Sequence, residues 1–579
     1  MKNKRLLAVL ILMALICVVC FFIPRLLEAD KPGVAEKQSA ESSDTEISAV
    51  IIPHHDLDKS DRRALFSRMG DSIKDKTIIL VSTNHFDTGN SNILTTKKQW
   101  NLSNGAISPD EGIIDALVES GLALSHENSF ADEHGIKNIL PDIADFFPKA
   151  EIVPIIIKPG TKKEDIDKLS ETLMVACKND CLFAGSVDFS HYQPGSLAEI
   201  HDDLSIRALT NLDTALLSRA EVDSRETLYL AVEWAKANAT EQFNLFKNTN
   251  SGKIENNRDG ESTSYVLGWY QNGETSKLVD SFTFMIGGDM MFDRGIEYNF
   301  QGKKLKDVME NFGDRVFSGT DLSLVNLEGP ISPVPLLPSN KESLVFNFQP
   351  ETASVLSWLG VNGVSLANNH TLNNGKAGLT NTKKVLTDIQ ISYVGQDAAF
   401  NEESIKTFDN GGDIKLTVMT IDCLNTTTDL AGAIKKQKDL GNLVLIVPHW
   451  GAEYEQIHSM SQENLAHSWI DHGADFVIGG HPHVIQDAET YKGKPIFYSL
   501  GNLLFDQNFS IETQRGLILA VKINKDKTEL VLLPTISKKH QPELLVGSEK
   551  TGLIKKFRKY LGAPEVDPSY GYDKIELAN

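Results

Sequence analysis

Two hydrophobic patterns alternate along most of this chain. Short, nearly uninterrupted apolar runs fall at Ile47–Ile52, Thr77–Ser82, Glu151–Ile157 and Cys181–Val187. Runs of that length predict strands buried on both faces. Among and after them, Asp165–Cys177 and Glu226–Ala235 carry helical patterns, and Gly135–Leu140 is helix-like. The alternation predicts an α/β domain with a largely parallel sheet. It closes at Tyr265–Tyr270, and the polar stretch Gln271–Lys277 marks a domain boundary. A second series starts at Phe282. Its strands are Phe282–Ile286, Leu322–Val325, Gly363–Leu366, Leu443–Val447, Asp475–Ile478 and Pro495–Ser499, with helices such as Pro350–Leu359 and Gln462–His472 between them.

The N-terminus follows neither pattern. Lys2, Lys4 and Arg5 precede an uncharged run from Leu6 to Ile23. As a helix it reaches about 27 Å, enough to cross a bilayer. Positive charge before the run predicts a single-pass protein of the cell membrane, with its N-terminus inside and its bulk outside. Phe21-Phe22-Ile23-Pro24-Arg25 offers no small-residue cleavage site, which favours an uncleaved anchor over a signal peptide. The expected organisation is a basic end (1–5), a transmembrane anchor (6–23), a flexible linker (24–47), a first α/β domain (48–271), a second (282–538) and a polar tail (539–579).

Composition narrows the class. At 579 residues the chain is too long for one core. The net charge of −21 argues against nucleic acid as a partner. The five cysteines form neither a disulfide framework nor a metal knuckle. Cys177 and Cys181, four apart near a helix end, read as two small buried residues in preference to a local bridge.

The chemistry clusters after strands. In the second series apolar runs lead to Asp289, Glu328, Asn369-His370, His449, and His481 with His483. Open α/β sheets gather ligands at the carboxyl ends of their strands. Carboxylates and imidazoles there suit two divalent ions, Mn, Fe or Zn, bridged by a carboxylate. His370 is placed to donate a proton to a leaving or equatorial oxygen. Arg294 suits pairing with a phosphate or carboxylate. In the first series, strands lead to His54-His55, His85 and His191. Three histidines after three strands suit one transition metal with open positions.

The phrases Gly-Gly-Asp-Met-Met-Phe-Asp-Arg, Asn-Leu-Glu-Gly-Pro, Asn-Asn-His, His-Trp-Gly-Ala-Glu-Tyr, Gly-His-Pro-His and Ser-Leu-Gly-Asn resemble the CapA family of capsule or poly-γ-glutamate biosynthesis proteins. That family lies within the calcineurin-like metallophosphoesterases. The resemblance covers about 282–538. It implies a β-sandwich flanked by helices, with Asp289, Glu328, Asn369, His449, His481 and His483 as ligands and His370 as the catalytic histidine. Met291 stands where the wider superfamily has a histidine, and Glu328 where it has a bridging Asp. These departures weigh against simple phosphatase activity. The polymer role the resemblance implies is hydrolysis, transfer or tethering of polyglutamate.

Residues 48–270 resemble the Memo family, also called AmmeMemoRadiSam system protein B, whose fold is similar to class III extradiol dioxygenases. Pro-His, Asn-His, Glu-His and Asp-Phe-Ser-His-Tyr carry the likeness. It places His54, His85 and His191 at the family's metal positions. Asp223 replaces the family's cysteine, which removes a thiol-based redox role and hardens the site toward iron or manganese. The leading expectation is a membrane-anchored protein whose dinuclear domain works as a metal-dependent hydrolase on a phosphoester or an anionic cell-surface polymer. The rivals are a non-catalytic polymer-binding surface protein and a non-haem metal oxidoreductase acting through the Memo-like half.

Overall fold

The computed structural model describes residues 46–578, apart from 71–72, 74–75, 179, 258–259, 275–280, 301–302, 314–315, 333–342, 397–399 and 565–572. The expected anchor and nearly all of the linker lie outside the described residues. Among the described residues, no helix is long and apolar enough to cross a membrane.

The first half is built on one nine-stranded sheet. Its centre is the parallel run Ile47–Ile52, Cys181–Ser186, Thr77–Thr83 and Ile152–Ile157. Almost every residue of these four strands is buried, because successive side chains enter opposite layers. Ala49 and Ile51 pack toward the helices Glu111–Glu119, Lys163–Cys177 and Arg225–Ala237. Val50 and Ile52 pack toward Lys59–Met69 and Leu140–Phe146. The edges are antiparallel: Glu261–Gln271 pairs with Ile47–Ile52 and with Gln242–Asn250. The last strand is half-exposed, and its mixed polar sequence gives no buried-strand signal. Cys177 and Cys181 are disulfide-bonded, with Cα atoms 5.6 Å apart. This corrects the expectation of two free thiols: the helix ends between them at Lys178, in the left-handed region, and the turn brings both Cβ atoms to bonding distance.

The second half is a sandwich of a nine-stranded and a six-stranded sheet. Phe282, Phe284 and Ile286 of one meet Leu416, Val418, Leu445 and Phe476 of the other. The long hairpin Arg515–Asn524 with Lys527–Lys538 extends the larger sheet. Past Lys538, Gln541–Leu544 and Lys574–Ala578 add strands to it.

The two halves share packing. Leu197 and Ile200, on helix Gly195–Thr210, belong to the apolar cluster of the second half. The same helix sends Arg207 to Asp321 at 2.7 Å and to Asp203 at 2.9 Å. Asp321 also accepts from the Thr283 N–H, and Lys522 reaches Asp203. This buried network pins the starts of the strands that end in the second half's candidate site.

Candidate metal centres

In the second half, parallel strands of both sheets finish at one edge. Asp289 lies near the end of Ser281–Met290, Glu328 follows Leu322–Leu327, and Asn369 and His370 follow Gly363–Ser365. From the smaller sheet, His449 ends Leu443–His449, and His481 and His483 follow Phe476–Ile478. Ligand atoms of Asp289, Glu328 and His483 lie within 4.8 Å of one another, all buried. His483 Nδ1 is 3.4 Å from Asp289 Oδ2, and its Nε2 is 3.6 Å from Glu328 Oε1. The His481 N–H donates to Asp289 Oδ2 at 3.1 Å. The His449 and His481 rings are 4.8 Å apart, and His449 Nε2 is 3.0 Å from Asn369 Oδ1. All six expected ligand residues therefore meet. His481 and His483 both hold left-handed backbones, with φ of 97° and 59°. Such strain persists only where surrounding structure over-determines it. Gly480 is part of that structure, since a Cβ there would lie 2.8 Å from Asp289 Oδ1.

Amides that sequence reasoning left unassigned hold these ligands. Asn326 Nδ2 donates to Asp289 Oδ1 at 2.8 Å and sits 3.3 Å from Glu328 Oε2. Asn368 donates to Asn326 Oδ1 at 3.0 Å, and Asn502 Oδ1 is 3.0 Å from His483 Nδ1. Both Asn326 and Asn502 stand inside the motif phrases, but an amide in a motif looks like a turn residue until its neighbours are known.

The electrostatics fit a cation. Burial pushes the Glu328 carboxyl up to about 8, against His483 and with Asp289 adding to it. Burial disfavours charge on Asp289 too, but His483 and His449 outweigh it and hold the group near 2. Glu328 Oε1 and His481 Nδ1 are buried without hydrogen-bond partners. Orphaned ligand atoms on hard and borderline donors are what a divalent ion would satisfy.

His370 stands at the rim, its Nε2 3.9 Å from Glu328 Oε1, its Nδ1 3.0 Å from Asn373 Oδ1 and its ring stacked on Phe346 at 4.1 Å. Arg294 is already engaged: its guanidinium pairs with Asp506 and lies over Phe346 and Phe505. Met291 is fully buried, and its sulfur accepts from the Asp293 N–H. Trp450 packs on Trp469 and Tyr498 inside the core.

The first half gathers a different set. Ligand atoms of His54, His85 and His134 lie within 4.8 Å of one another. Asp223 Oδ2 is 3.4 Å from His54 Nε2 and 3.5 Å from His85 Nε2. Glu133, fully buried, holds His85 Nδ1 at 2.5 Å, and Asp188 Oδ2 is 3.4 Å from His54 Nε2. His134 thus occupies the third place in the cluster that His191 was expected to fill. His191 lies outside the triad because its strand, Phe189–Pro194, turns to pair antiparallel with Glu261–Gln271. It stays close enough for its charge to act on Asp188 and Asp223, and its buried Nδ1 has no partner. His55 caps the next helical turn through Leu57 N–H. The signal for His134 was the Glu133-His134 pair itself, which follows no strand.

Burial keeps His54 neutral down to about 4. Burial also opposes charge on His85, yet Asp223 and Glu133 outweigh it and raise the ring to about 9. Imidazoles beside carboxylates, with His85 giving up its proton on binding, would form the donor set of a single transition-metal site.

Comparison with known proteins agrees with this division. Residues 27–267 match the family model of Memo-like proteins, and residues 283–507 match that of the bacterial capsule synthesis protein PGA_cap. The capsule biosynthesis protein CapA of Bacillus anthracis is 27% identical over 43% of this chain and 67% of its own length. The PGA biosynthesis protein CapA of Bacillus subtilis is 25% identical over 46% of this chain and 74% of its own. A MEMO1 family protein of Nitrosopumilus maritimus is 23% identical over 40% of this chain and 82% of its own. Each relative matches one half only.

Proposed function

We propose that this protein serves capsule or poly-γ-glutamate assembly at the cell surface, through a two-metal centre in its C-terminal half that acts hydrolytically on an anionic polymer or phosphoester. The observation that carries this reading is the buried Asp289–Glu328–His483 cluster with Glu328 Oε1 and His481 Nδ1 left unpartnered. When bound, two divalent ions would supply a hydroxide near neutral pH and neutralise developing charge. Asp289, Glu328, Asn369, His449, His481 and His483 would hold them. Asn326, Asn368 and Asn502 orient the ligands. His370 reaches the same space from the rim; burial disfavours its protonated form, which makes that form the stronger acid toward a leaving oxygen.

The membrane anchor at 6–23 belongs to this reading, and the disulfide in the first half supports it, because such bonds persist outside the reducing cytosol. One observation favours a second reading. Met291 is buried against backbone and supplies no imidazole, so one metal position has fewer donors. A metal-dependent tether that holds polymer without cleaving it fits that deficit. The Memo-like half then contributes a one-metal site of histidines and Asp223, iron among its candidates.

The test uses the chain from residue 46 onward with manganese, against a phosphodiester and poly-γ-glutamate. His370→Ala should slow hydrolysis by about 10²- to 10⁴-fold with metal content unchanged. Metal-loaded protein that binds polyglutamate but cleaves neither substrate would replace the hydrolase with the tether.

A further inference from the structure

A cleft of about 560 Å³ opens where the two halves meet. One wall is the segment around Ser218–Arg225 of the first half, and the other comes from Phe317–Thr320, Trp358–Asn362 and Ile389–Ile391 of the second. Its size is that of a small-molecule site.

Its charge sets it apart. The chain carries 78 acidic residues against 57 lysines and arginines, yet among the described residues no Asp or Glu lines this cleft, while two arginines do. Most of the described cations elsewhere are paired. Arg207 has two carboxylates, Arg62 has Asp142 and Arg294 has Asp506. Arg219 and Arg225 form no ion pair among the described residues. Arg219 donates through Nη2 to the carbonyls of Thr320 and Asp321, which ties the two walls together. Arg225 donates only its Nε, to Ala220 O at 2.7 Å. That bond fixes the plane of the guanidinium and leaves the two terminal nitrogens, the fork that grips an oxyanion, without a partner among the described residues. Apolar surface from Phe317, Trp358 and Val361 and amide groups from Asn362 and Gln390 complete the lining.

We infer that this cleft binds a small organic oxyanion, a carboxylate or phosphate group on an apolar body, gripped by Arg225 with Arg219 behind it. Asp223, beside His54 and His85, lies between these two arginines in sequence. A ligand here would sit on the loop that carries a residue of the first metal cluster, at the seam with the second half.

The experiment titrates sodium phosphate and, separately, citrate into the metal-stripped protein at constant ionic strength, read by calorimetry and by tryptophan emission. Saturable binding of either anion in the millimolar range or tighter is expected, with Arg225→Ala weakening it roughly 10- to 100-fold. Arg225 is exposed at the start of its helix, so this variant should keep the parent's melting temperature. Trp358→Phe should remove the emission change and keep the calorimetric signal. Phosphate alone binding assigns a phosphate ester, and citrate alone a carboxylate. Equal affinity in parent and Arg225→Ala, or no saturable binding below about 10 mM, overturns the site.

Discussion

The two candidate metal clusters share one construction and differ in how they treat charge. In each, side chains follow the carboxyl ends of parallel strands, joined in the N-terminal cluster by Glu133 and His134 at the start of a short helix and by Asp223 ahead of another. The C-terminal cluster seals two carboxylates among buried imidazoles and amides, with Glu328 pushed up to about 8. The N-terminal cluster has three imidazoles at its centre, and the carboxylates of Asp223, Asp188 and Glu133 stand around them. His134 there remains part-exposed. In the first arrangement, cations would replace the protons that Glu328 and His483 hold. The second already balances itself and calls for one borderline metal.

The sharpest way to break this comparison is to remove one ligand from each cluster. Glu328→Ala should cost the C-terminal half its metals, with affinity down more than about 100-fold, and leave the N-terminal metal in place. His85→Ala should do the reverse. Elemental analysis of each purified variant reads both. If either variant empties both halves, the clusters are not independent sites.

Independence of the sites does not mean independence of the folds. Arg207, Asp203, Asp321 and Lys522 form a buried charge network across the seam, and Leu197 and Ile200 complete the second half's core. Arg207→Ala strands Asp321 and should cost about 3–5 kcal/mol. Thermal melting should show the two halves unfolding at a lower temperature together. A second half that melts unchanged would make the seam a passive contact.

Smaller effects should come from the residues that orient ligands. Asn326→Ala should weaken C-terminal metal binding by about 10- to 100-fold, because Asp289 loses the donor that fixes its carboxylate. Glu133→Gln should do the same to the N-terminal site through His85. Metal-competition titrations of both variants compare the two supports directly.

What the sequence revealed divides along the same physical line. Strand-end ligands such as Asp289, His449 and His54 were legible because a buried apolar run announces the strand and the next polar residue must sit at its end. His134 was not assigned, because it opens a short helix packed against the strands and no run points to it. His191 falls outside the tight triad for the opposite reason: Val187-Asp188-Phe189 reads as a strand end, but the chain turns into an antiparallel edge. The edge strand Gln242–Asn250 and the seam carry mixed polarity, so their pairing depends on partners far along the chain.

Cysteine supplies the last and smallest contrast. The first half closes Cys177 and Cys181 into a short loop beside a left-handed Lys178, whereas Cys423 in the second is a free thiol that burial pushes up to about 12, too poor a thiolate to react. A loop this short removes little entropy from the unfolded chain, so Cys177→Ser with Cys181→Ser should cost only about 2 kcal/mol. The bond ties the helix Lys163–Cys177 to the strand Cys181–Ser186, so the contact that is lost lies within the first half. Thermal melts with and without reductant should therefore differ for the parent and coincide for the double variant. Metal content of the C-terminal cluster should not change in either. In the chain from residue 46 onward, a reductant effect that survives the double substitution would assign the sensitivity to Cys423 instead and reverse this contrast between the halves.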